Sequence, residues 1–500
     1  MLQQHFKLIF QQPFISQQLL TSKRSLKAAF LLVLFSCTTF IVSGCAIEKV
    51  VAKPMDATQV SAKIFAKSAN SDDFKNYLVK HGYLINHNYP QKELPFKTWG
   101  LNELTLCALF HHPNLSVAKA QMALAEAELQ TAANRLNPTV NANIANSSRA
   151  NEAVKPWSFG LNVEIPIETT NKRAIKIEQA QFNLQAAQLD IAEAAWQLRH
   201  QLALDLHAYQ QNNFDIALLQ NEQNLQIDLL NRLKKRVDVG LQGNTEWQES
   251  LIVQQKSVLA LQNKQAKQHE LLATLAADVG LTQFEFNKIT VIPFNLTQML
   301  DQQNAAIDAL NTHNLWQQKA LLNRIAIRKS LAKYAAAEAN IQLEVAKQTP
   351  DFSISPGFMF DYGDNIWSLG ISSLLNLLQK HPTLINEATK LREIEGAQFE
   401  LLQHQVISEL TISQAQYKAN QTRLLDAKNQ LTITKSYQQT LQKQLAAGLI
   451  DKIALLNANI NEQLVLQQIQ SAQFDLLKSA IMLENIMQYP LYSTIKLPTS

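Results

Sequence analysis

Residues 157–167 read WSFGLNVEIPI, and apolar side chains alternate with polar or small ones along the whole stretch. A period of two is typical of a β-strand with one apolar and one polar face. Three further stretches show the same alternation: 139–147 (TVNANIANS), 351–360 (DFSISPGFMF) and 366–375 (IWSLGISSLL). The four stretches fall into two neighbouring pairs along the chain, so the sequence predicts two β-hairpins.

The predicted strands have about the length, roughly 9 to 11 residues, that a tilted transmembrane β-strand needs. Their alternation suits a strand with lipid on one side and water on the other. Pro166 and Pro356 argue against central strands of an ordinary sheet, because proline has no N–H to donate. The alternative is a small soluble sheet that caps a helical domain, and the alternation alone leaves both interpretations open.

The strand pairs belong to a longer internal repeat, which predicts two copies of one structural unit. Matched segments recur in the same order at a nearly constant offset, which scattered identities between two helical regions do not explain. The matched segments are Ala125-Glu126-Ala127 with Ala337-Glu338-Ala339, Pro138 with Pro350, Trp157-Ser158-Phe159-Gly160 with Trp367-Ser368-Leu369-Gly370, Tyr209 with Tyr417, and Gly240-Leu241 with Gly448-Leu449.

Long helices fill the rest of each repeat. The chain has only 12 Gly and 14 Pro in 500 residues, so long stretches lack turn signals. Apolar residues follow helical spacing, and Gly240 and Gly448 lie where the longest helices reverse direction. The predicted helices are 102–136, 172–239, 245–279, 316–348, 381–447 and 452–487. The longest would extend on the order of 100 Å. Polar residues interrupt every stretch, so these helices are expected to project through water rather than lipid.

Four strands cannot close a barrel, because the smallest membrane barrels use about eight strands. An open sheet edge in lipid leaves backbone groups without hydrogen-bond partners. A membrane interpretation therefore requires several copies of the chain.

The N-terminus resembles a bacterial lipoprotein signal. A basic stretch, KRSLK at 23–27, runs into an apolar segment that is too short to span a bilayer and ends in Ile41-Val42-Ser43-Gly44-Cys45. This ending resembles a lipobox, which implies lipidation of Cys45; an ordinary secretory signal followed by a chance cysteine is the alternative. By resemblance to lipoprotein sorting, Ala46 favours the outer membrane. Cys37 leaves with the signal, so no disulfide is expected within one mature chain.

Charge and motifs exclude several function classes. Residues 1–44 carry four of the 45 bases and no acid, which leaves 41 bases against 41 acids and no electrostatic case for nucleic acid. The sequence contains no HExxH, CxxC, phosphate-binding glycine loop or Gly-x-Ser-x-Gly motif. Adjacent His111 and His112 would point about 100° apart on a helix, and His200 and His207 have no third ligand nearby in sequence. We therefore expect no enzyme activity, no metal site and no cofactor.

The segment Ala108-Leu109-Phe110-His111-His112-Pro113-Asn114-Leu115, with the lipobox and the twofold repeat, resembles the TolC-like outer membrane efflux family, with His112 in place of the family's Asn. The resemblance implies a mainly α fold with a small β part: a homotrimer that forms one 12-stranded outer membrane β-barrel and a periplasmic α-helical tunnel of long coiled-coil hairpins. The corresponding regions are 1–44 (signal peptide), 45–100 (anchor and belt), 101–284 (first repeat), 285–314 (connecting belt), 315–488 (second repeat) and 489–500 (tail).

One stretch allows a finer comparison. Residues 164–173, EIPIETTNKR, resemble the Pro-(Ile/Leu)-Glu-x-Gly-Gly-Lys-Arg segment of the CzcC-like branch, the outer membrane partners of heavy-metal pumps. Thr170 and Asn171 replace the two glycines, and Leu374-Leu375-Asn376-Leu377-Leu378 lacks the usual Pro before Phe. The comparison favours heavy-metal cargo. Alternatively, Lys172 and Arg173 only mark the barrel-to-helix junction, where bases meet anionic head groups.

The resemblance places the functional residues at the two helix reversals. The family's turns contact a periplasmic adaptor, and they correspond to Val239, Gly240, Leu241, Ala447, Gly448 and Leu449. Some members narrow the pore with a ring of aspartates, and Ala454 and Asn457 occupy those positions here. Asp451, Glu246 or Glu249 would therefore have to supply an acidic gate. The alternative is that these acids only interact favourably with the dipole of a nearby helix start.

The expected function is therefore an outer membrane exit duct. Its partners would be outer membrane lipid, an adaptor and an inner membrane pump of the resistance-nodulation-division type. The alternatives are a type I secretion duct of the same fold and a periplasmic coiled-coil lipoprotein scaffold without a pore.

Overall fold

A computed structural model describes residues 50–81, 96, 98–148, 155–312, 316–373 and 381–491. Two predicted features, the signal peptide with Cys45 and the segment 374–378, lie outside these residues. The chain divides into two compact units, residues 1–62 and 63–500. In the first, the described residues lead into a short helix, α1 (Ala57–Phe65), and the second holds both repeats.

The elements after α1 follow the predicted order, helices then hairpin then long helices, twice. In chain order they are α2 (Asp72–Lys80), α3 (Leu101–His111), α4 (Pro113–Ala133), β1 (Thr139–Asn146), β2 (Trp157–Ile167), α5 (Lys172–Asp238), α6 (Asn244–Val279), α7 (Gln283–Phe286), α8 (Leu296–Thr312), α9 (Trp316–Leu322), α10 (Ile325–Ala346), β3 (Phe352–Asp361), β4 (Asp364–Ser373), α11 (His381–Ala446) and α12 (Lys452–Met487).

The first helix of each repeat is interrupted, although the sequence analysis expected one continuous helix. In the first repeat the helix stops before Pro113, which has no N–H for the helical ladder and starts α4 instead. In the second repeat the interruption lies between α9 and α10, where the backbone N–H of Ile325 donates to the side chain of Gln488. The prediction of one continuous helix over 102–136 and another over 316–348 is thus wrong. The first and last residues of each helical region agree with the prediction to within two or three residues.

The strands form one antiparallel sheet in the order β1-β2-β3-β4. The hairpins β1–β2 and β3–β4 are local, and β2 pairs with β3 across the two repeats, with Phe159 opposite Phe360 and Ile165 opposite Ile354. β1 and β4 are the edges.

The two largest apolar cores of the described residues lie among the helices, one for each repeat. The first packs Leu198, Leu202 and Leu206 of α5 against buried residues of α2, α3 and α6. The second packs Leu476, Leu477 and neighbouring residues of α12 against α8, α9 and α11. Within the described ranges, no helix combines the length and the apolar character that a membrane span would need.

Candidate functional site

The sheet has one continuous apolar face. Directly opposed residues of an antiparallel sheet lie on the same side, so the register assigns each side chain to a face. The apolar residues of this face are Val140, Ala142, Ile144, Trp157, Phe159, Leu161, Val163, Ile165, Ile167, Phe352, Ile354, Pro356, Phe358, Phe360, Trp367, Leu369 and Ile371, and polar Asn146, Asn365 and Ser373 lie at strand ends of the same face. Many of these residues are exposed: Ile144 to 76%, Trp367 to 81% and Leu369 to 72%. The apolar side chains of the edge strands β1 and β4 are thus largely uncovered by the described part of the chain.

The opposite face is built from small and polar side chains. It carries Asn141, Asn143, Ser158, Gly160, Asn162, Glu164, Ser353, Ser355, Gly357, Ser368, Gly370 and Ser372, with Met359 and Ile366 near the turn. The side chains are closely spaced: a Cβ at Gly160 would lie 2.2 Å from Oδ1 of Asn143. In β2 this polar face is also the more covered one, because Ser158 is 6% exposed and Phe159 47%. Strand β2 therefore exposes its apolar side chains more than its polar ones, which is the reverse of the usual arrangement in water-soluble proteins.

Aromatic residues of the apolar face cluster toward the turn end of the hairpins. The rings of Phe159 and Phe360 stack with centroids 5.2 Å apart, and those of Phe358 and Trp367 lie 4.9 Å apart. A band of aromatic residues at the end of an apolar strand face is typical of a membrane–water interface.

An ion pair between buried Lys172 and partly exposed Asp351 joins the sheet to the start of α5. Nζ of Lys172 donates to Oδ1 of Asp351 at 2.7 Å and to the carbonyl oxygen of Thr349 at 2.6 Å. Lys172 is buried, so its ammonium fixes β3 to α5 and is not free to meet a lipid head group. Burial opposes ionisation of Asp351, and the hydrogen bonds from Lys172 and Thr169 outweigh it, so the pKa of Asp351 is lowered. Of the two bases considered above, only Arg173 is left for the head-group role.

The two residues that replace the family's glycines adopt the backbone that glycine favours. Thr170 and Asn171 have φ values of 51° and 55°, in the left-handed region. The hydroxyl of Thr170 donates to the carbonyl oxygen of Ala346 at 3.0 Å, which offsets part of the conformational cost. The comparison in sequence thus identified a sharp turn whose geometry is present without the glycines.

Both helix reversals use the same hydrogen-bonded turn. At the first, the N–H of Gly240 donates to the carbonyl of Val237 at 3.0 Å and that of Leu241 to Arg236 at 2.9 Å. This is the Schellman motif, and the second reversal has the same two bonds, at 3.0 and 2.9 Å. Gly240 and the corresponding glycine of the second repeat have φ of 72° and 71°, so both turns need a residue without a Cβ penalty.

The reversals expose apolar side chains. Val239, Leu241 and Leu449 are 68%, 78% and 75% exposed, and a Cβ built on either turn glycine meets nothing within 4 Å. The six residues proposed to contact an adaptor therefore form two exposed tips with an open surface around each glycine.

The five candidate gate residues lie next to the tips in two groups. Asp451 accepts a hydrogen bond from the N–H of Ala454 at 3.0 Å, which caps α12, and also pairs with Nη2 of Arg236 at 2.6 Å. Glu246, Glu249 and Asn457 line a cavity of about 440 Å³ between α5, α6 and α12. Asp451 thus ties the second reversal to the end of α5.

The strongest link between the repeats was not predicted from the sequence. Arg199 of α5 and Glu484 of α12 form a hydrogen-bonded ion pair with side chains only 4% and 3% exposed. Nε1 of Trp196 donates to Oδ1 of Asn485 at 2.9 Å beside it. Burial raises the pKa of Glu484, and the Arg199 guanidinium opposes that rise. The only available signal was a lone Arg and a lone Glu within apolar helix faces.

The histidines have structural surroundings. Nε2 of His207 lies 2.7 Å from the carbonyl oxygen of Phe474, and Nε2 of His111 lies 3.1 Å from that of Ser68. Burial lowers the pKa of both imidazoles, and it lowers that of His200 to about 4. In the part of the chain that the structure describes, no group of three or more His, Cys, Asp or Glu side chains is placed to hold a metal ion.

Comparison with known proteins agrees with this architecture. Residues 107–281 match the family model described as outer membrane efflux protein. Among solved structures, the fold is similar to the outer membrane protein VceC from Vibrio cholerae, with a TM-score of 0.61 and 16% identity over 78% of this chain and 96% of that one. It is also similar to CusC, with a TM-score of 0.60 and 14% identity over 80% of this chain and 96% of that one. The open state of the MtrE outer membrane channel of Neisseria gonorrhoeae gives a TM-score of 0.59 and 15% identity over 80% of this chain and 90% of that one. No curated protein matches.

The matched segment covers most of the first repeat, and the second repeat reproduces its strands and long helices in the same order. The mainly helical fold with a small antiparallel sheet is confirmed. The matched family and the similar structures are efflux proteins and channels, not enzymes. Residues 107–281 thus match the outer membrane efflux protein family, and the fold of the chain is similar to that of outer membrane channels.

Proposed function

We propose that this protein is the outer membrane exit duct of a tripartite efflux system. Three chains would contribute their sheets to one 12-stranded barrel and their long helices to a periplasmic tunnel. An adaptor would contact the two tips, and an inner membrane pump of the resistance-nodulation-division type would supply the energy. The observation that carries the proposal is the two-faced sheet, which exposes apolar side chains on one face and carries small, mostly polar side chains on the other.

Lipid and neighbouring copies resolve two features that are unfavourable in water. Removing apolar surface from water is favourable by about 25 cal/mol per Å² of free energy, so contact with lipid stabilises the exposed apolar face of the sheet. The edges β1 and β4 lack strand partners within one chain, and pairing β1 with β4 of the next copy satisfies both. A soluble cap would leave the face and both edges exposed.

A pair of neighbouring substitutions separates the duct from the soluble scaffold. Leu369 and Ser368 are adjacent in β4 and lie on opposite faces of the sheet. In a barrel, Leu369→Lys places a charge in lipid, at a cost of about 2–4 kcal/mol per chain near the bilayer midplane, whereas Ser368→Lys meets water. We expect Leu369→Lys to reduce detergent-stable trimers and channel insertion strongly, and Ser368→Lys to retain both.

The measurement is single-channel conductance in planar bilayers together with trimer content on mild gels. On a soluble sheet, both substitutions lie on the surface and behave alike. Equal trimer content for the two variants, or a wild-type protein that never conducts, would reject the duct.

Two finer parts of the proposal concern the anchor and the cargo. The lipobox supports acylation of Cys45, and mass spectrometry of the mature wild-type protein should show an acyl mass that Cys45→Ser lacks. The 164–173 segment supports heavy-metal cations as cargo. A strain without the gene should then lose resistance to zinc or cadmium salts and regain it on complementation; lost resistance to organic drugs alone would contradict the metal assignment.

A further inference from the structure

Glu164 is the one charged side chain within the interior of the described strands. The other two charged strand residues, Asp361 and Asp364, flank the turn of the second hairpin. Around Glu164, the polar face carries neutral residues, with Thr139 directly opposite on β1 and Asn162 and Pro166 beside it on β2, and the structure shows no ion pair for this carboxylate within its described part. Asp361 and Asp364 lie on the same face at its turn end, so Glu164 is the single fixed negative charge in the interior of the described strands.

A hydrogen bond confirms which face Glu164 occupies. Oγ of Ser372, on β4, donates to Oε1 of Glu164, on β2, at 3.2 Å. The side chain reaches across β3 to do so, past small residues such as Ser355 and Gly370, which face one another in the register. Glu164 thus lies flat along the polar face, near the end of β2 that leads into α5.

The proposed trimer would place three copies of Glu164 at one level of the lumen. Twelve strands spaced about 4.8 Å apart and tilted by roughly 40° give a backbone radius of about 12 Å. The Debye length is about 8 Å at physiological ionic strength and about 30 Å at 0.01 M salt. At low salt the three carboxylates would therefore act on the whole cross-section, and at high salt only on ions near the wall.

We propose that Glu164 makes the lumen prefer cations over anions, where the barrel meets the tunnel. The inference rests on the proposed function, because the polar face must line a conducting pore. It assigns selectivity to a strand residue instead of to the tips, where Ala454 and Asn457 stand in place of acidic residues.

The test is the reversal potential of single channels across a KCl gradient, for wild type, Glu164→Gln and Glu164→Asp. We expect the potassium-to-chloride permeability ratio of Glu164→Gln to fall by about twofold or more near 0.01 M and much less near 1 M, where the Debye length is about 3 Å. Glu164→Asp keeps the charge and should retain most of the wild-type ratio.

Glu168→Gln is the matched control, since it removes the same charge four residues away. Glu168 follows β2 and forms an ion pair with Lys176 at 3.0 Å. Removing its charge should therefore leave the potassium-to-chloride permeability ratio within the experimental scatter of the wild-type value. Channels of unchanged conductance whose ratio is the same in wild type and Glu164→Gln would overturn the inference and leave the duct intact. A wild-type protein without conductance would overturn both.

Discussion

Removing the arginine of the buried pair between the repeats should destabilise the protein far more than removing an exposed one. In Arg199→Met, the side chain of Glu484 stays buried, and its remaining donor is the N–H of Leu491 at 3.4 Å. Breaking one partner of a buried pair costs about 3–5 kcal/mol. Arg423 pairs with Asp475 at the surface, where such pairs contribute only about 0–1 kcal/mol.

The assay is thermal unfolding of the detergent-purified protein, followed by far-UV circular dichroism at one scan rate. A loss of 3 kcal/mol should lower Tm by on the order of 5 °C, and Arg423→Met should change it by about 1 °C. The double variant Arg199→Met/Glu484→Leu removes both charges, and apolar replacement of a buried pair is often neutral. It should therefore recover most of the loss.

The effect should also depend on pH. Burial already raises the pKa of Glu484, and without the Arg199 guanidinium that pKa rises further. A carboxyl whose pKa is higher in the folded than in the unfolded state loses stability as pH rises between the two values, by up to about 1.4 kcal/mol per unit. Arg199→Met should thus be closer to wild type at pH 5 than at pH 7.5. Equal Tm losses for Arg199→Met and Arg423→Met, or a penalty independent of pH, would refute the reasoning.

Three further predictions concern turns, a carboxylate pair and the tips. Gly280 and Gly240 both have positive φ, but a Cβ at Gly280 would lie 2.9 Å from backbone atoms of α3, whereas a Cβ at Gly240 meets nothing within 4 Å. Gly280→Ala should therefore lower Tm more than Gly240→Ala, and the reverse order would contradict this. Burial and the neighbouring Asp205 raise the pKa of Asp278 to about 7, so Asp278→Asn should stabilise the protein at pH 8 and change little at pH 5, measured by Tm at both values. Arg236→Gln removes the ion pair between the reversals and should increase the open fraction of single channels, which an unchanged gating record would disprove.

The sequence predicted the elements well because each has a strong local signal. The β2 bounds match the expected 157–167, and the two longest helices end at Asp238 and Ala446, one residue before expectation, because a glycine terminates each. Alternation predicted a two-faced sheet, and in β2 the apolar face is the more exposed of the two. Pro113 was the available signal for the break after α3.

The pairings between repeats could not be predicted, because they join residues far apart in sequence. Arg199 and Glu484 lie 285 residues apart, and Lys172 and Asp351 lie 179 apart. The sequence shows where a basic residue stands but not whether its side chain is buried or paired. From sequence alone, Lys172 and Arg173 therefore had equal claims to contact a lipid head group. Only the structure separates the buried, paired lysine from its neighbour.

The pairing order of the sheet has a consequence for assembly in the cell. Each hairpin can close soon after its own strands emerge, but the central pairing joins Ile167 to Phe352 and so waits for nearly all of α5 to α10 to be exported. Until then the first hairpin presents a bare edge and an apolar face to water, and closing so long a loop is slow. If the protein is the proposed outer membrane duct, we therefore expect the first repeat alone to be prone to aggregation, and chaperones to be needed most during this interval.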